Sequence, residues 1–146
     1  MRAIIQRVKK AAVEIEGKTH AETGKGLLIF IAFTHHDADS EIEKFVHKIL
    51  QLRIFPGEKG LMNLSVKEVN GEILIISQFT LYANTHKGNR PSFFDAAKPQ
   101  TAMPLYEKFI STMQSNYPDK IKCGVFGADM KVHLINDGPV TIILEN

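Results

Sequence analysis

Apolar residues recur along the chain with two different periods, and the switches between them divide it into segments. Residues 2–8 lead into an alternating stretch where Ala11, Val13 and Ile15 face one way and Ala12, Glu14 and Glu16 the other, the pattern of a half-buried strand. Gly17-Lys18 predicts a turn, residues 19–23 a return strand, and Gly24-Lys25-Gly26 a further break. Residues 27–33 are continuously apolar, as expected of a central strand covered on both faces. Ile42, Phe45, Val46, Ile49 and Leu50 then form a helical stripe, with Asp39 or Ser40 as N-cap, ending before Pro56-Gly57.

Residues 60–65 read as irregular connection, and Asn70-Gly71 is the strongest hairpin signal in the chain. It predicts that residues 66–69 pair with a long strand over 72–82. Residues 83–99 are polar and aperiodic, a loop long enough to suspect of function. A second helix runs through Ala102, Leu105, Tyr106, Phe109 and Met113, and Pro104 is tolerable only in its first turn, which puts the start near Thr101. Residues 128–135 and 140–144 are strand-like, joined by Asn136-Asp137-Gly138-Pro139. The order predicts an α/β fold, a single domain over residues 1–146 with a twisted, barrel-like mixed sheet and two main helices packed on it.

The composition adds mainly exclusions. With 146 residues, 44% hydrophobic and 23% charged, the chain can bury a core without a disulfide or metal. One cysteine, Cys123, allows no internal disulfide or thiol pair for zinc, which fits a cytoplasmic setting. No apolar run reaches membrane-spanning length, and the first residues lack a signal-peptide core, so no membrane association is expected. A net charge of +2 announces no polyanion partner, although Arg7, Lys9 and Lys10 cluster near the start and Lys87 and Arg90 share a loop. Either group reads as solvated surface or as phosphate contacts.

The strand from Glu72 is apolar on both faces until Ser77, so Ser77, Gln78 and Thr80 fall at the rim of the core, where open α/β sheets bind ligands. A strand end whose hydroxyls and amide serve neighbouring backbone is the plainer alternative. In Asn136-Asp137-Gly138-Pro139-Val140-Thr141, Pro139 lacks a donor N–H, so the backbone there holds a specific non-ladder shape. By base rate alone the Gly138-Pro139 bond is expected to be trans, since only ~5–6% of X-Pro bonds in folded proteins are cis. His35-His36-Asp37 are chain neighbours that point apart, so they read as a polar loop rather than a metal site. The sequence has no G-x-S-x-G elbow, Walker loop or dinucleotide fingerprint, and neither metal nor organic cofactor is called for.

At full length the chain resembles the D-aminoacyl-tRNA deacylases. The resemblance is carried by Ala3-Ile4-Ile5-Gln6-Arg7-Val8, Met62-Asn63-Leu64, Ser77-Gln78-Phe79-Thr80-Leu81, Arg90-Pro91-Ser92-Phe93, Gly127-Ala128-Asp129-Met130 and Asn136-Asp137-Gly138-Pro139-Val140-Thr141. It implies a hydrolase that cleaves the ester between a D-amino acid and the 3′ end of tRNA, a proofreading step that also accepts glycine. It further implies a homodimer, with Gly138-Pro139 cis and inserted into the partner subunit's pocket to reject L-amino acids, and Arg7 supporting that element. Ser77, Gln78, Phe79 and Thr80 become the catalytic segment, with backbone N–H groups near Phe79 and Thr80 facing the oxyanion. No histidine or carboxylate adjoins Thr80 in sequence, so a positioning role with help from the ribose 2′-hydroxyl is preferred to nucleophilic attack. The alternatives are a dimeric RNA-end-binding module without catalysis and a hydrolase of small esters.

Overall fold

The longest pairing in the molecule joins its two ends. In a computed structural model that describes Met1 to Asn146 throughout, β1 (Arg2–Ile15) runs antiparallel to β8 (Lys131–Glu145) along nearly its whole length. On its other side β1 pairs antiparallel with β2 (Lys18–Thr23) and β3 (Gly26–Ala32). The sheet continues with β6 (Glu72–Ser77) and β7 (Ile121–Cys123), both parallel to β3, in the order β2-β1-β3-β6-β7. Two short strands, β4 (Phe55–Pro56) and β5 (Met62–Leu64), make a separate hairpin. The expected twisted mixed sheet carrying two helices is borne out.

Alternating side chains on the central strands feed two apolar clusters. Leu27, Ile29, Ile31, Ile73 and Ile75 join the larger, while Leu28, Leu74 and Ile76 join the smaller. Strand β1 belongs to both, giving Ala3 and Ile5 to the first and Val8, Ala11 and Val13 to the second. The switch coincides with register shifts against β8 around Val8, so the β1–β8 ribbon bends there and lies over the second face. The sheet is thereby almost closed. The first face is covered by α1 (Asp39–Leu50) and α2 (Pro99–Asn116), whose buried stripes meet through Phe45 and Phe109, 6.5 Å between ring centres. Gly26 permits the tight β3–β6 approach, because a Cβ there would collide with the Glu72 backbone. No helix is long and apolar enough to cross a membrane.

Several local expectations are corrected. Asn70, with φ of +50°, does turn the chain, but residues 66–69 form turns rather than a strand, and Val66 is buried in the core. Strand β6 therefore pairs in parallel with β3 instead of closing an Asn70-Gly71 hairpin. The first turn centres on Glu16-Gly17, not Gly17-Lys18, with positive φ at both residues as a type I′ hairpin requires. The α1 N-cap is Ala38, neither Asp39 nor Ser40, and no side chain caps it. Helix α2 starts at Pro99, so Pro104 lies inside it beyond the first turn. That position is tolerated because the carbonyl denied a donor belongs to Gln100, which is exposed to water. Strand β6 ends at Ser77, and Phe79–Tyr82 is a 3-10 turn.

Candidate active site

Because β3 and β6 run parallel, their carboxyl ends open on the same edge of the sheet. A mostly apolar cavity of about 590 Å³ lies there, between Ile31–Phe33, Ser77–Phe79, the start of α2 and the segment at Phe126–Met130. Its polar side chains are Ser77, Gln78, Lys98 and Asp129. Main-chain bonds fix two of its walls: the Gln78 N–H donates to the Ile31 carbonyl at 2.8 Å, and the Ala97 N–H to the Phe33 carbonyl at 2.8 Å. Beneath Phe126 lies Tyr106, 5.6 Å between ring centres, whose burial raises its hydroxyl well above the usual phenol range.

After Gln78 the chain turns into the 3-10 segment, which leaves the first N–H groups, those of Phe79 and Thr80, without partners inside that turn. The Gln78 amide Nε2 donates to the Thr80 hydroxyl oxygen at 2.6 Å. An amide N–H cannot take a proton, so this contact orients the hydroxyl without activating it. The structure thus brings Ser77, Gln78 and Phe79 to the cavity and places Thr80 just outside it.

Arg7, Gly138 and Pro139 gather elsewhere. The Gly138-Pro139 bond is cis, against the base-rate expectation and in agreement with the resemblance. Both residues are exposed on a corner of β8, where the four residues 137–140 stand opposite the single β1 residue Arg7. Both halves of β8 pair with β1 in the same direction, so this segment is a bulge in one strand rather than a turn between two. The Arg7 guanidinium closes the bulge from below, donating from Nε to the Asp137 carbonyl at 2.8 Å and from a terminal nitrogen to the Ile54 carbonyl at 2.6 Å. Arg7 pairs with Leu27, four residues before the cavity wall at Ile31, or ~13 Å along the strand. Neither Gly138 nor Pro139 lines the cavity of its own chain.

This constellation has relatives. The family model for D-Tyr-tRNA(Tyr) deacylase matches residues 4–145. The chain belongs to the D-Tyr-tRNA(Tyr) deacylase family. The D-aminoacyl-tRNA deacylase of Cytophaga hutchinsonii is 55% identical over 146 residues, spanning all of this chain and 97% of that relative. The D-aminoacyl-tRNA deacylase of Fusobacterium nucleatum is 54% identical over 145 residues, 99% of this chain and 95% of its own. Among solved structures, c-Myc DNA Unwinding Element Binding Protein superposes with a TM-score of 0.95 at 40% identity, covering 100% of this chain and 99% of the other. A probable eukaryotic D-amino acid tRNA deacylase shares the fold with a TM-score of 0.83 at 19% identity, covering 98% and 97%.

Within this deacylase-family fold, three residues carry weight that the sequence reading did not assign. Lys98 and Asp129 are the charged groups of the cavity. Their signals in the sequence are the end of the long loop and the Gly127-Ala128-Asp129-Met130 motif, neither of which by itself singles out a charged side chain. The third is Asn136. Its Oδ1 accepts from the Val140 N–H at 2.7 Å, and its Nδ2 donates to the Val140 carbonyl and the Thr141 hydroxyl, both at 3.2 Å. The carboxamide therefore replaces ladder bonds lost at the bulge. Asn136→Ala is expected to lower stability by about 1–3 kcal/mol, read from the urea midpoint, since it leaves the buried Val140 N–H unpaired.

Other candidates are accounted for structurally. His35 Nε2 meets the Phe94 carbonyl at 2.8 Å, while Asp37 takes the Met1 amino group at 2.5 Å and the Thr34 N–H at 2.8 Å, so these neighbours diverge. Burial raises the Cys123 thiol, which disfavours the thiolate a nucleophile needs.

Proposed function

We propose that the protein hydrolyses the ester of D-aminoacyl-tRNA, acting as a homodimer in which the Gly138-Pro139 corner of one copy closes the cavity of the other. The observation that carries this reading is the mostly apolar cavity bounded by Ser77, Gln78 and Phe79, of a size suited to an organic ligand such as an aminoacyl-adenosine end. Full-length kinship with named D-aminoacyl-tRNA deacylases supports the substrate class.

In the reaction, water adds to the ester carbonyl carbon and charge develops on the carbonyl oxygen. The N–H groups of Phe79 and Thr80 are suited to receive that charge, as fixed donors need no reorganisation during reaction. The carbon–oxygen bond to the ribose then breaks, and the departing oxygen takes up a proton to give free tRNA and the D-amino acid. The vicinal 2′-hydroxyl of the substrate assists this transfer, and Thr80, oriented by Gln78, positions the ribose. Thr80→Ala is therefore expected to keep activity within about tenfold of wild type in single-turnover deacylation; a nucleophilic role would abolish it.

The cross-subunit arrangement has two supports. The corner and the cavity lie apart within one chain, and Ile135 and Ile143 are exposed on β8, offering an apolar face to a second copy. Main-chain carbonyls held at the cavity mouth would exclude the side chain of an L-residue by contact while ignoring the identity of a D-residue. Glycine, with no side chain, passes the same filter.

Incubating the protein with D-tyrosyl-tRNA and, separately, with D-tyrosine ethyl ester tests the function. Cleavage confined to the tRNA ester is expected. Equal cleavage of both esters indicates a small-ester hydrolase, and binding of tRNA without cleavage indicates an RNA-end-binding module.

A further inference from the structure

We propose that residues 83–98 form the docking surface for the single-stranded 3′ end of a tRNA, with Lys87 and Arg90 on its phosphates and Phe94 stacking on an unpaired base. The proposal rests on the reading of the cavity as the site for an aminoacyl-tRNA end. Residues 83–98 carry three cations, Lys87, Arg90 and Lys98, against one acidic residue, the exposed Asp95, and Lys87 and Arg90 both stand exposed without an ion-pair partner. Lys98 continues this basic character into the cavity itself, while Asp129 on the facing side is paired with Lys131 at 2.7 Å.

The loop is anchored at the mouth rather than free. Asn84 and Ser92 exchange main-chain bonds of 2.7 and 2.9 Å, which draw residues 85–91 into a projecting tongue. At its return, Phe93 lines the cavity and packs edge-on against Phe79, 5.2 Å between ring centres. Phe94 is then 83% exposed, with its own carbonyl tied to His35. An aromatic this open has no role in the core, and cations interleaved with exposed aromatic faces are what single-stranded nucleic acid requires. Charge complementarity thus selects a polyanion, and the aromatic faces select one with unpaired bases.

The test uses the full-length protein and a fluorescein-labelled acceptor-stem minihelix ending in unpaired CCA, with the same duplex trimmed blunt as comparison. The double variant Lys87→Ala/Arg90→Ala is expected to bind the CCA probe at least tenfold more weakly. Its plot of log affinity against log salt should be shallower by about 1.4, two contacts at ~0.7 each. Phe94→Ala should weaken the CCA probe about tenfold with the salt slope unchanged. Wild-type affinity and slope in the double variant, or the same loss on the blunt duplex, overturns the proposal.

Deacylation of D-tyrosyl-tRNA by the wild-type protein, run in parallel, separates the two readings. Cleavage with a tongue that proves irrelevant to binding sinks this inference alone. Tongue-dependent CCA binding without cleavage sinks the catalytic reading and leaves the docking surface standing.

Discussion

Arg7→Ala is expected to be the most damaging single substitution outside the core. The side chain is only 11% exposed and ties two separate elements, the β8 bulge at Asp137 and the connection after α1 at Ile54. Hydrogen bonds from a charged donor are worth about 1.5–3 kcal/mol each, so loss of both should remove roughly 3–6 kcal/mol. That is a large part of an ordinary domain's stability of about 5–15 kcal/mol. The urea midpoint should fall accordingly, and the residual folded protein should discriminate poorly between D- and L-esters because the Gly138 corner has lost its support. Arg7→Lys should recover little, since one ammonium on a flexible stem cannot replace the two-pronged fork. A variant with wild-type stability and selectivity would show that the guanidinium is incidental to the bulge.

Gly138→Ala should act on selectivity more than on stability. Gly138 has φ of +148°, and a Cβ there would lie 2.7 Å from Val140 Cγ2, 3.0 Å from the Val140 nitrogen and 3.1 Å from an Arg7 terminal nitrogen. The neighbours cannot all give way, because the Val140 nitrogen is main chain and is held by Asn136. The corner must therefore shift. A displacement near 1 Å at a site that works by contact changes rates by about 100-fold, so the preference for the D-ester should shrink by that order. The half-life of L-tyrosyl-tRNA with the variant measures it; an L-ester as durable as with wild type would remove Gly138 from the filter.

The sequence revealed those parts of the fold that rest on periodic burial. The stripes of α1 and α2 and the apolar run of β3 were legible because each buries a regular set of positions. Asn70-Gly71 misled for a definable reason: a turn signal fixes local dihedrals, not the strand that β6 will pair with, and β3 outcompeted the local partner. The exit of the chain from β6 after Ser77 was equally hidden, as the alternation of residues 77–82 looks the same in a strand and in a 3-10 turn. Ser77 and Gln78 are nonetheless legible as cavity residues, since the loss of apolar character at the strand end reports where the core stops; Thr80, expected there on the same ground, lies just outside, and Phe79 follows from the resemblance alone. The separation of Gly138-Pro139 from that cavity was not legible, because it depends on the long-range register of β8 on β1. The long loop was recognised as suspect, but its meeting with Phe79 at the cavity mouth required the fold.

The most direct test of a D-selective deacylase is a comparison of D-tyrosyl-tRNA with L-tyrosyl-tRNA, matched in tRNA and concentration, incubated with the purified wild-type protein. Rapid release of D-tyrosine, with the L-ester decaying no faster than in buffer, is the expected result. Cleavage of both esters at one rate, or survival of both, would contradict it.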